Sequence, residues 1–143
     1  MDRIAVADLE ATSAFARECA ARLGGREVLL LSGDLGAGKT TFVRYLAESM
    51  GLDPQWVSSP SFTLIQRYPG RDGSGGILHA DLYRLRDAGE VGEIGLVDEW
   101  DSDDLIVVEW PDLLEEYGIP PGRPVIRIRF SHEDEGSREV RIE

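Results

Sequence analysis

The segment Gly33-Asp-Leu-Gly-Ala-Gly-Lys-Thr40 constrains the fold of this chain more than any other, because it matches the phosphate-binding pattern G-x-x-x-x-G-K-[ST] at every fixed position. A short apolar run at residues 27–32 precedes it, and a helical pattern at residues 38–50 follows it. Glycines let backbone N–H groups turn toward phosphate oxygens, and the helix N-terminus adds its positive dipole end. This order of strand, loop and helix predicts a nucleotide-binding P-loop in a parallel sheet.

Composition sharpens this interpretation, because Lys39 is the only lysine among the 15 basic residues and all the others are arginines. A compact ammonium suits a tight phosphate loop, whereas the larger planar guanidinium of arginine fits there poorly. The hydroxyl of Thr40 follows directly and is placed to ligate Mg²⁺. The motif alone therefore assigns phosphate or metal contacts to Gly36, Gly38, Lys39 and Thr40.

A P-loop needs an acidic side chain on a neighbouring strand to hold Mg²⁺, and two residues qualify. Glu109 ends the apolar run at residues 105–108, which is where a Walker B acid stands. Asp81 lies in the alternating segment 77–83, on the same polar face as His79. We expect one acid to hold the metal ion and the other to orient the attacking water, and the sequence leaves the division of these roles open.

Two further features of the sequence, one before Asp81 and one directly after Glu109, are candidates for the same site. The hydroxyl-rich loop Ser58-Ser-Pro-Ser-Phe-Thr63 leads into a strand predicted at residues 62–68. Such loops in P-loop enzymes often sense the γ-phosphate and change conformation on hydrolysis. Trp110 follows Glu109 directly, and it packs either near the nucleotide or in the core.

The rest of the chain predicts one domain over residues 1–143, because no repeat or long linker divides it. A helix is predicted at residues 8–23, and its apolar side holds the only cysteine, Cys19, as a core thiol. A strand at residues 125–130 is expected to pair with one at residues 139–142. The expected fold is a three-layer α/β P-loop NTPase with a mostly parallel central sheet and a short antiparallel portion.

Charge and hydropathy exclude other classes of protein. The net charge of −12 argues against a protein that binds nucleic acid by itself, since such a protein needs a basic surface. The N-terminal residues lack the pattern of a signal peptide, and no apolar run approaches the roughly 20 residues that span a bilayer. We therefore expect a cytoplasmic protein without a membrane partner.

The residue content also limits which nucleotide the chain can bind and which type of reaction it can catalyse. Guanine recognition by N-K-x-D is impossible because the chain contains no asparagine, so ATP is the expected nucleotide. A small-metabolite kinase is the main alternative, but Arg67, Arg84 and Arg86 are too scattered to form its basic lid. A module that binds ATP without turnover is a second alternative. A switch-like ATPase that works on a partner fits the small size better than either.

Four segments together resemble the TsaE family, once called YjeE, at the family's order and spacing: Gly33-Asp-Leu-Gly-Ala-Gly-Lys-Thr-Thr41, Ser59-Pro-Ser-Phe-Thr-Leu64, His79-Ala-Asp-Leu-Tyr-Arg84 and Val108-Glu-Trp-Pro111. The resemblance implies a P-loop fold that binds ATP and Mg²⁺ and has weak intrinsic ATPase activity. It implies association with TsaB and TsaD in the synthesis of threonylcarbamoyladenosine beside the tRNA anticodon. An acidic subunit of this kind is expected to work on its partners without binding tRNA independently.

Site residues carried over from the resemblance fall into four groups. Nucleotide contacts fall on the loop and the helix that follows, at Asp34, Leu35, Gly36, Ala37, Gly38, Lys39, Thr40 and Thr41. The implied Mg²⁺ ligands are Thr40 and Glu109, and the implied catalytic residues are Lys39, Glu109 and Asp81, the last as switch or water-orienting carboxylate. Ser61, where the family more often has threonine, and Thr63 belong to the loop that senses the γ-phosphate. Leu9 and Arg138 resemble positions that flank the base and sugar.

Overall fold

The structure, a computed structural model, describes residues 2–6, 9–33, 38–57, 65–70, 75–132 and 138–142. The strands in this part of the chain are β1 Asp2–Val6, β2 Val28–Ser32, β3 Ile65–Tyr68, β4 Ile77–Asp81, β5 Leu105–Glu109, β6 Val125–His132 and β7 Arg138–Ile142. The α-helices are α1 Leu9–Arg22, α2 Lys39–Ser49, α3 Gly89–Glu93 and α4 Asp112–Tyr117, with 3₁₀ turns at Pro54–Trp56 and Val97–Glu99.

All seven strands form one sheet in the order β1-β7-β6-β2-β5-β4-β3. The four neighbouring strands β6, β2, β5 and β4 are parallel to one another. Antiparallel pairs close both edges, with β3 on β4 at one edge and β7 and β1 beyond β6 at the other. The predicted parallel centre and the pairing of β6 with β7 are therefore confirmed, and antiparallel strands occupy both edges of the sheet.

Side-chain alternation along the strands builds a core on each face of the sheet. Leu29 and Leu31 of β2 lie in a cluster that includes Phe42 and Leu46 of α2 and Phe15 of α1. The intervening β2 residues lie in a second cluster with residues of α3 and α4. Because parallel strands are buried on both faces, they read as continuous apolar runs, which is the pattern seen at residues 27–32 and 105–108. Helices on both faces of the sheet confirm the three-layer α/β class.

Several element boundaries differ from the sequence prediction. The N-terminal strand β1 is not predicted by the local pattern, since its partner β7 is distant in the sequence. Strand β4 ends at Asp81, two residues before the predicted end. Strand β3 begins at Ile65, and the residues before it that were expected to belong to it lie outside the described part of the chain. Across the described residues, no helix is both long enough and apolar enough to cross a membrane.

Cys19 lies on α1, half-buried against the cluster that covers β2. Burial raises the pKa of its thiol to about 11, with a smaller contribution from the charge of Glu18. The thiol therefore stays protonated at neutral pH, as expected of a side chain that serves only in packing.

Candidate nucleotide-binding site

Two glycines frame the loop that joins β2 to α2. Gly33 follows β2 with φ 136°, and a Cβ atom at this position would collide with the backbone carbonyl of Phe130. Gly38 caps α2 in the left-handed conformation, with φ 99°. Only glycine adopts these conformations without strain, so both motif glycines have a conformational reason to be there. The intervening residues Asp34, Leu35, Gly36 and Ala37 lie outside the described residues.

Lys39 begins α2, and its side chain is buried although it carries a charge. Its Nζ donates a hydrogen bond to the Gly33 carbonyl oxygen at 2.7 Å. The same ammonium lies 3.5 Å from the centroid of the Trp110 ring. The predicted phosphate-binding cation is therefore held beside the start of the loop by a carbonyl and an aromatic face, both of which favour a positive charge.

Trp110 follows β5 and shapes the side of the site. It is the only non-glycine residue with a positive φ in the described part of the chain, at 57°. Its ring packs on Tyr83 with centroids 4.9 Å apart. A cleft of about 280 Å³ opens beside Trp110 and Gly33, and Arg129 also lines it. Of the two placements left open for Trp110, the structure favours the one beside the phosphate loop.

Glu109 and Thr40 bring two oxygen-bearing groups together beneath the loop. Glu109 ends β5 and is only 3% exposed. The Thr40 Oγ1 atom lies 3.4 Å from Glu109 Oε1 and 3.3 Å from Oε2. Hydroxyl and carboxylate oxygens are the ligands that Mg²⁺ prefers, so these residues fit the ion.

The rest of a Mg²⁺ coordination shell would have to come from water and phosphate. Within the described residues, no group of three or more His, Cys, Asp or Glu side chains could hold a metal ion. A protein that supplies one carboxylate and one hydroxyl is typical of sites where Mg²⁺ arrives with a nucleotide.

Asp81, the second acid, ends the neighbouring strand directly opposite Glu109 in the β4–β5 register. Its side chain accepts a hydrogen bond from the backbone N–H of Tyr83 at 3.0 Å. Burial raises the pKa of its carboxyl above the ordinary value, and the charge of Glu109 adds to this rise, while His79 and Lys39 act in the opposite direction. The two acids expected from the sequence thus lie side by side on adjacent interior strands.

His79 belongs to the site although the sequence assigned it no role. It is fully buried, and its Nε2 lies 2.6 Å from Glu109 Oε2. Its Nδ1 lies 2.9 Å from the hydroxyl of Tyr68 on β3. The available signal was its position two residues before Asp81, on the same face of a strand. The missing information was that β4 lies between β3 and β5.

The remaining predicted site residues are only partly placed. Thr41 lies in the first turn of α2. Leu9 is the first residue of α1 and Arg138 the first residue of β7, and their side chains are not among those described. Ser61 and Thr63 of the hydroxyl-rich loop lie outside the described residues. The described site therefore consists of the loop ends, the start of α2 and the ends of β4 and β5.

A phosphate-type loop between a central parallel strand and a helix, with an acid at the end of the adjacent strand, defines the class of protein: the chain has the P-loop NTPase fold. The sequence profile of the family described as "Threonylcarbamoyl adenosine biosynthesis protein TsaE" matches residues 6–140. The chain belongs to the TsaE family, as its four motifs indicated.

Individual relatives agree with this assignment. A protein of Aquifex aeolicus (strain VF5), named tRNA threonylcarbamoyladenosine biosynthesis protein TsaE, is 43% identical over 134 residues, which cover 93% of this chain and 89% of that protein. The protein of the same name from Bacillus subtilis (strain 168) is 40% identical over 131 residues, covering 92% and 78%. The crystal structure of Bacillus subtilis YdiB matches with a TM-score of 0.72 and 32% identity, covering 97% of this chain and 82% of that one.

Proposed function

We propose that this chain binds ATP with Mg²⁺, hydrolyses the ATP slowly, and acts as an accessory subunit in the threonylcarbamoylation of tRNA in the cytoplasm. Family membership supports the pathway, because the matched relatives are named as tRNA threonylcarbamoyladenosine biosynthesis proteins. The observation that carries the nucleotide site is the convergence of Lys39, Thr40 and Glu109 at the start of α2 and the end of β5.

Phosphate binding is the role of the loop and Lys39. The ammonium already lies beside the Gly33 carbonyl and the Trp110 ring, so it needs only a local movement to exchange them for the β- and γ-phosphate oxygens. The N-terminus of α2 points at the same place and favours negative charge. Asp34, Leu35, Gly36, Ala37, Gly38 and Thr41 complete the proposed contacts with the nucleotide, and Leu9 and Arg138 would flank its base and sugar.

Thr40 and Glu109 are the residues we assign to Mg²⁺, and the hydroxyl and carboxylate lie close enough to share one ion. When bound, Mg²⁺ offsets the negative charge of the phosphates during transfer. We assign the attacking water to Asp81, which lies opposite Glu109 in the register. Its raised pKa makes its carboxylate a better proton acceptor than an exposed aspartate. Ser61 and Thr63 are proposed to sense the γ-phosphate.

The proposed partner is the TsaB–TsaD complex, on which ATP hydrolysis would act. A chain with a net charge of −12 repels the phosphate backbone, so docking on a partner that holds tRNA suits it better than direct contact with tRNA.

The decisive experiment compares phosphate release by the chain alone and with TsaB and TsaD. We expect slow release alone and faster release with the partners, and Lys39→Ala should abolish both, since it removes the phosphate-binding ammonium. Arg22→Ala is the matched control, because it removes an exposed cation that pairs with Glu18 on α1. Equal slow release in both conditions would contradict the accessory role. Transfer of the γ-phosphate to a metabolite instead of water would favour the kinase alternative.

A further inference from the structure

A buried chain of polar side chains runs behind the metal-binding end of the site. Tyr68 on β3, His79 on β4 and Glu109 on β5 are 2%, 0% and 3% exposed. Their contacts are 2.9 Å from the Tyr68 hydroxyl to His79 Nδ1 and 2.6 Å from His79 Nε2 to Glu109 Oε2. The three residues lie on three neighbouring strands, on the face of the sheet that α2 covers.

Burying these groups is costly unless each one is satisfied by a partner. A carboxylate and an imidazole removed from water lose solvation that only good hydrogen bonds can replace. The preceding positions on the same face of β4 and β5, Ile77 and Val107, are apolar and fully buried. A fully connected polar network in such a setting fixes the geometry of its members, because any displacement leaves a buried polar atom unpaired.

The two carboxylate oxygens of Glu109 are therefore not equivalent. His79 contacts Oε2, and Oε1 is the oxygen that remains for a further ligand. Thr40 Oγ1 lies at nearly the same distance from both oxygens, 3.4 Å from Oε1 and 3.3 Å from Oε2, so the contact with His79 is what distinguishes them. A rotation of the carboxylate that carried Oε1 away from Thr40 would also break the contact with His79.

We propose that His79, supported by Tyr68, is a positioning residue for Glu109. The Nε2–H group of His79 holds one carboxylate oxygen, so that the other is presented to Mg²⁺ beside Thr40. The Tyr68 hydroxyl fixes the imidazole ring from the opposite side, and it also contacts Gln66 Oε1 at 3.0 Å. This proposal deepens the proposed function and rests on it, since it concerns the same Mg²⁺ site.

The test measures the affinity of the chain for ADP by calorimetry, once with Mg²⁺ and once with EDTA. The ratio of the two affinities reports the metal-dependent part of binding without any turnover. Removing a residue that orients a metal ligand typically weakens metal binding by about tenfold to a hundredfold. His79→Ala should therefore lower the ratio by about tenfold or more, while the affinity in EDTA stays close to that of the wild type.

Conservative variants separate positioning from packing. In His79→Gln the side-chain amide nitrogen can occupy the place of Nε2 and donate to Glu109, so most of the Mg²⁺ effect should return. His79→Asn is too short to reach Glu109 and should behave like the alanine variant. Tyr68→Phe keeps the ring and removes the hydroxyl, so it should lower the ratio less than His79→Ala does. If the alanine variant does not fold, the glutamine and asparagine pair carries the comparison.

Arg67→Gln is the control for general weakening of this edge of the sheet. Arg67 lies on β3 beside Tyr68, and its guanidinium pairs with Glu99 and Asp104, away from the polar chain. This variant should lower thermal stability and leave the Mg²⁺ effect unchanged. If the ADP affinity of the wild-type chain is the same with Mg²⁺ and with EDTA, the proposed function and this inference are both contradicted. A normal wild-type Mg²⁺ effect that His79→Ala preserves, or that glutamine and asparagine lower equally, would overturn this inference alone.

Discussion

Trp110 adopts a strained backbone conformation beside the site. A left-handed conformation costs an L-residue roughly 1–2 kcal/mol, and Trp110 adopts it at φ 57°. The conformation turns the indole toward Lys39 on one side and Tyr83 on the other. A cation–π contact and an aromatic pair together offset a cost of this size. Strain of this kind is concentrated at functional sites, which agrees with the position of Trp110 directly after Glu109.

Replacing Glu109 tests the assignment of the metal ligand. Glu109→Gln keeps the shape of the side chain and removes its charge, so Mg²⁺ loses its anionic ligand. We expect the Mg²⁺-dependent gain in ADP affinity to fall by at least about tenfold, with unchanged affinity in EDTA and an unchanged circular dichroism spectrum. Calorimetry with both metal conditions measures this. If the Mg²⁺ effect survives in Glu109→Gln and disappears in Asp81→Asn, the metal ligand is Asp81.

Asp81 should make the stability of the protein depend on pH. Its pKa in the folded chain lies above the ordinary value of 3.8, chiefly because of burial, so the ionised carboxylate is less favourable in the folded than in the unfolded chain. The penalty is absent below the ordinary pKa and is complete once the pH exceeds the raised one. Asp81→Asn removes the penalty, and it should raise the melting temperature at pH 7 by an amount that shrinks as the pH falls toward 4. Thermal melts over this range measure the difference, and a lower melting temperature for Asp81→Asn at pH 7 would refute the argument.

At the level of elements, Arg123 forms hydrogen bonds that connect the loops at the end of the sheet opposite the site. Its guanidinium donates to the backbone carbonyl oxygens of Trp100 and Asp104 at 2.7 Å each, and of Arg26 at 3.3 Å. It also donates to the carbonyl oxygen of Ser102. These carbonyls belong to the segments that lead into β2 and β5, so one buried cation holds the starts of both central strands.

Removing that cation should destabilise the fold without touching the site. Hydrogen bonds from a charged donor contribute about 1.5–3 kcal/mol, and the carbonyls of the buried residues Trp100 and Asp104 would lose this donor. Arg123→Met should therefore lower the free energy of unfolding by about 3 kcal/mol, measured by urea denaturation. Arg26→Met is the matched control, because Arg26 forms an exposed pair with Asp103 and such pairs contribute at most about 1 kcal/mol. Equal small losses for both variants would show that Arg123 does not have this role.

The elements differ in how far the sequence could predict them. The unit of β2, loop and α2 was predictable because its signals are local: an apolar run, two glycines with special conformations and a helical repeat. The alternation in β4 likewise placed His79 and Asp81 on one face. Strand β1 was not predictable, because its short sequence gains its conformation from pairing with β7. Contacts between strands depend on the order of the strands in the sheet, and the local hydrophobic periodicity of the sequence does not determine that order.

The same distinction applies to the site. Lys39, Thr40 and Glu109 were predictable as a set, because each stands at a fixed place relative to a strand end or helix start. The contact between His79 and Glu109 was not, since it requires β4 to be the neighbour of β5. The burial of His79 was not predictable either, because a strand that alternates apolar and polar residues is usually exposed on its polar side. Here the polar face is covered, and its histidine is fully buried.

Considered as a whole molecule, the chain carries a charge that should keep it away from free RNA. With 15 basic and 27 acidic residues, it has no surplus of cations to release the counterions of a phosphate backbone. We expect no binding of tRNA by the isolated chain in filter-binding or gel-shift assays at a salt concentration of about 150 mM. Addition of the proposed partners should be required to bring tRNA into the same complex. Tight binding of tRNA by the chain alone at this salt concentration would contradict the expectation.

The pairing of β1 with β7 limits when β1 can join the sheet during synthesis of the chain. Asp2 pairs with Ile142, and Val6 with Arg138, so the hydrogen bonds of β1 cannot form until the residues of β7 have left the ribosome. Bringing together two strands so distant in the sequence is slow, because the chain loses conformational entropy before the stabilising contacts form. Strand β1 therefore leaves the ribosome long before β7 does, and it stays without this partner until β7 has emerged.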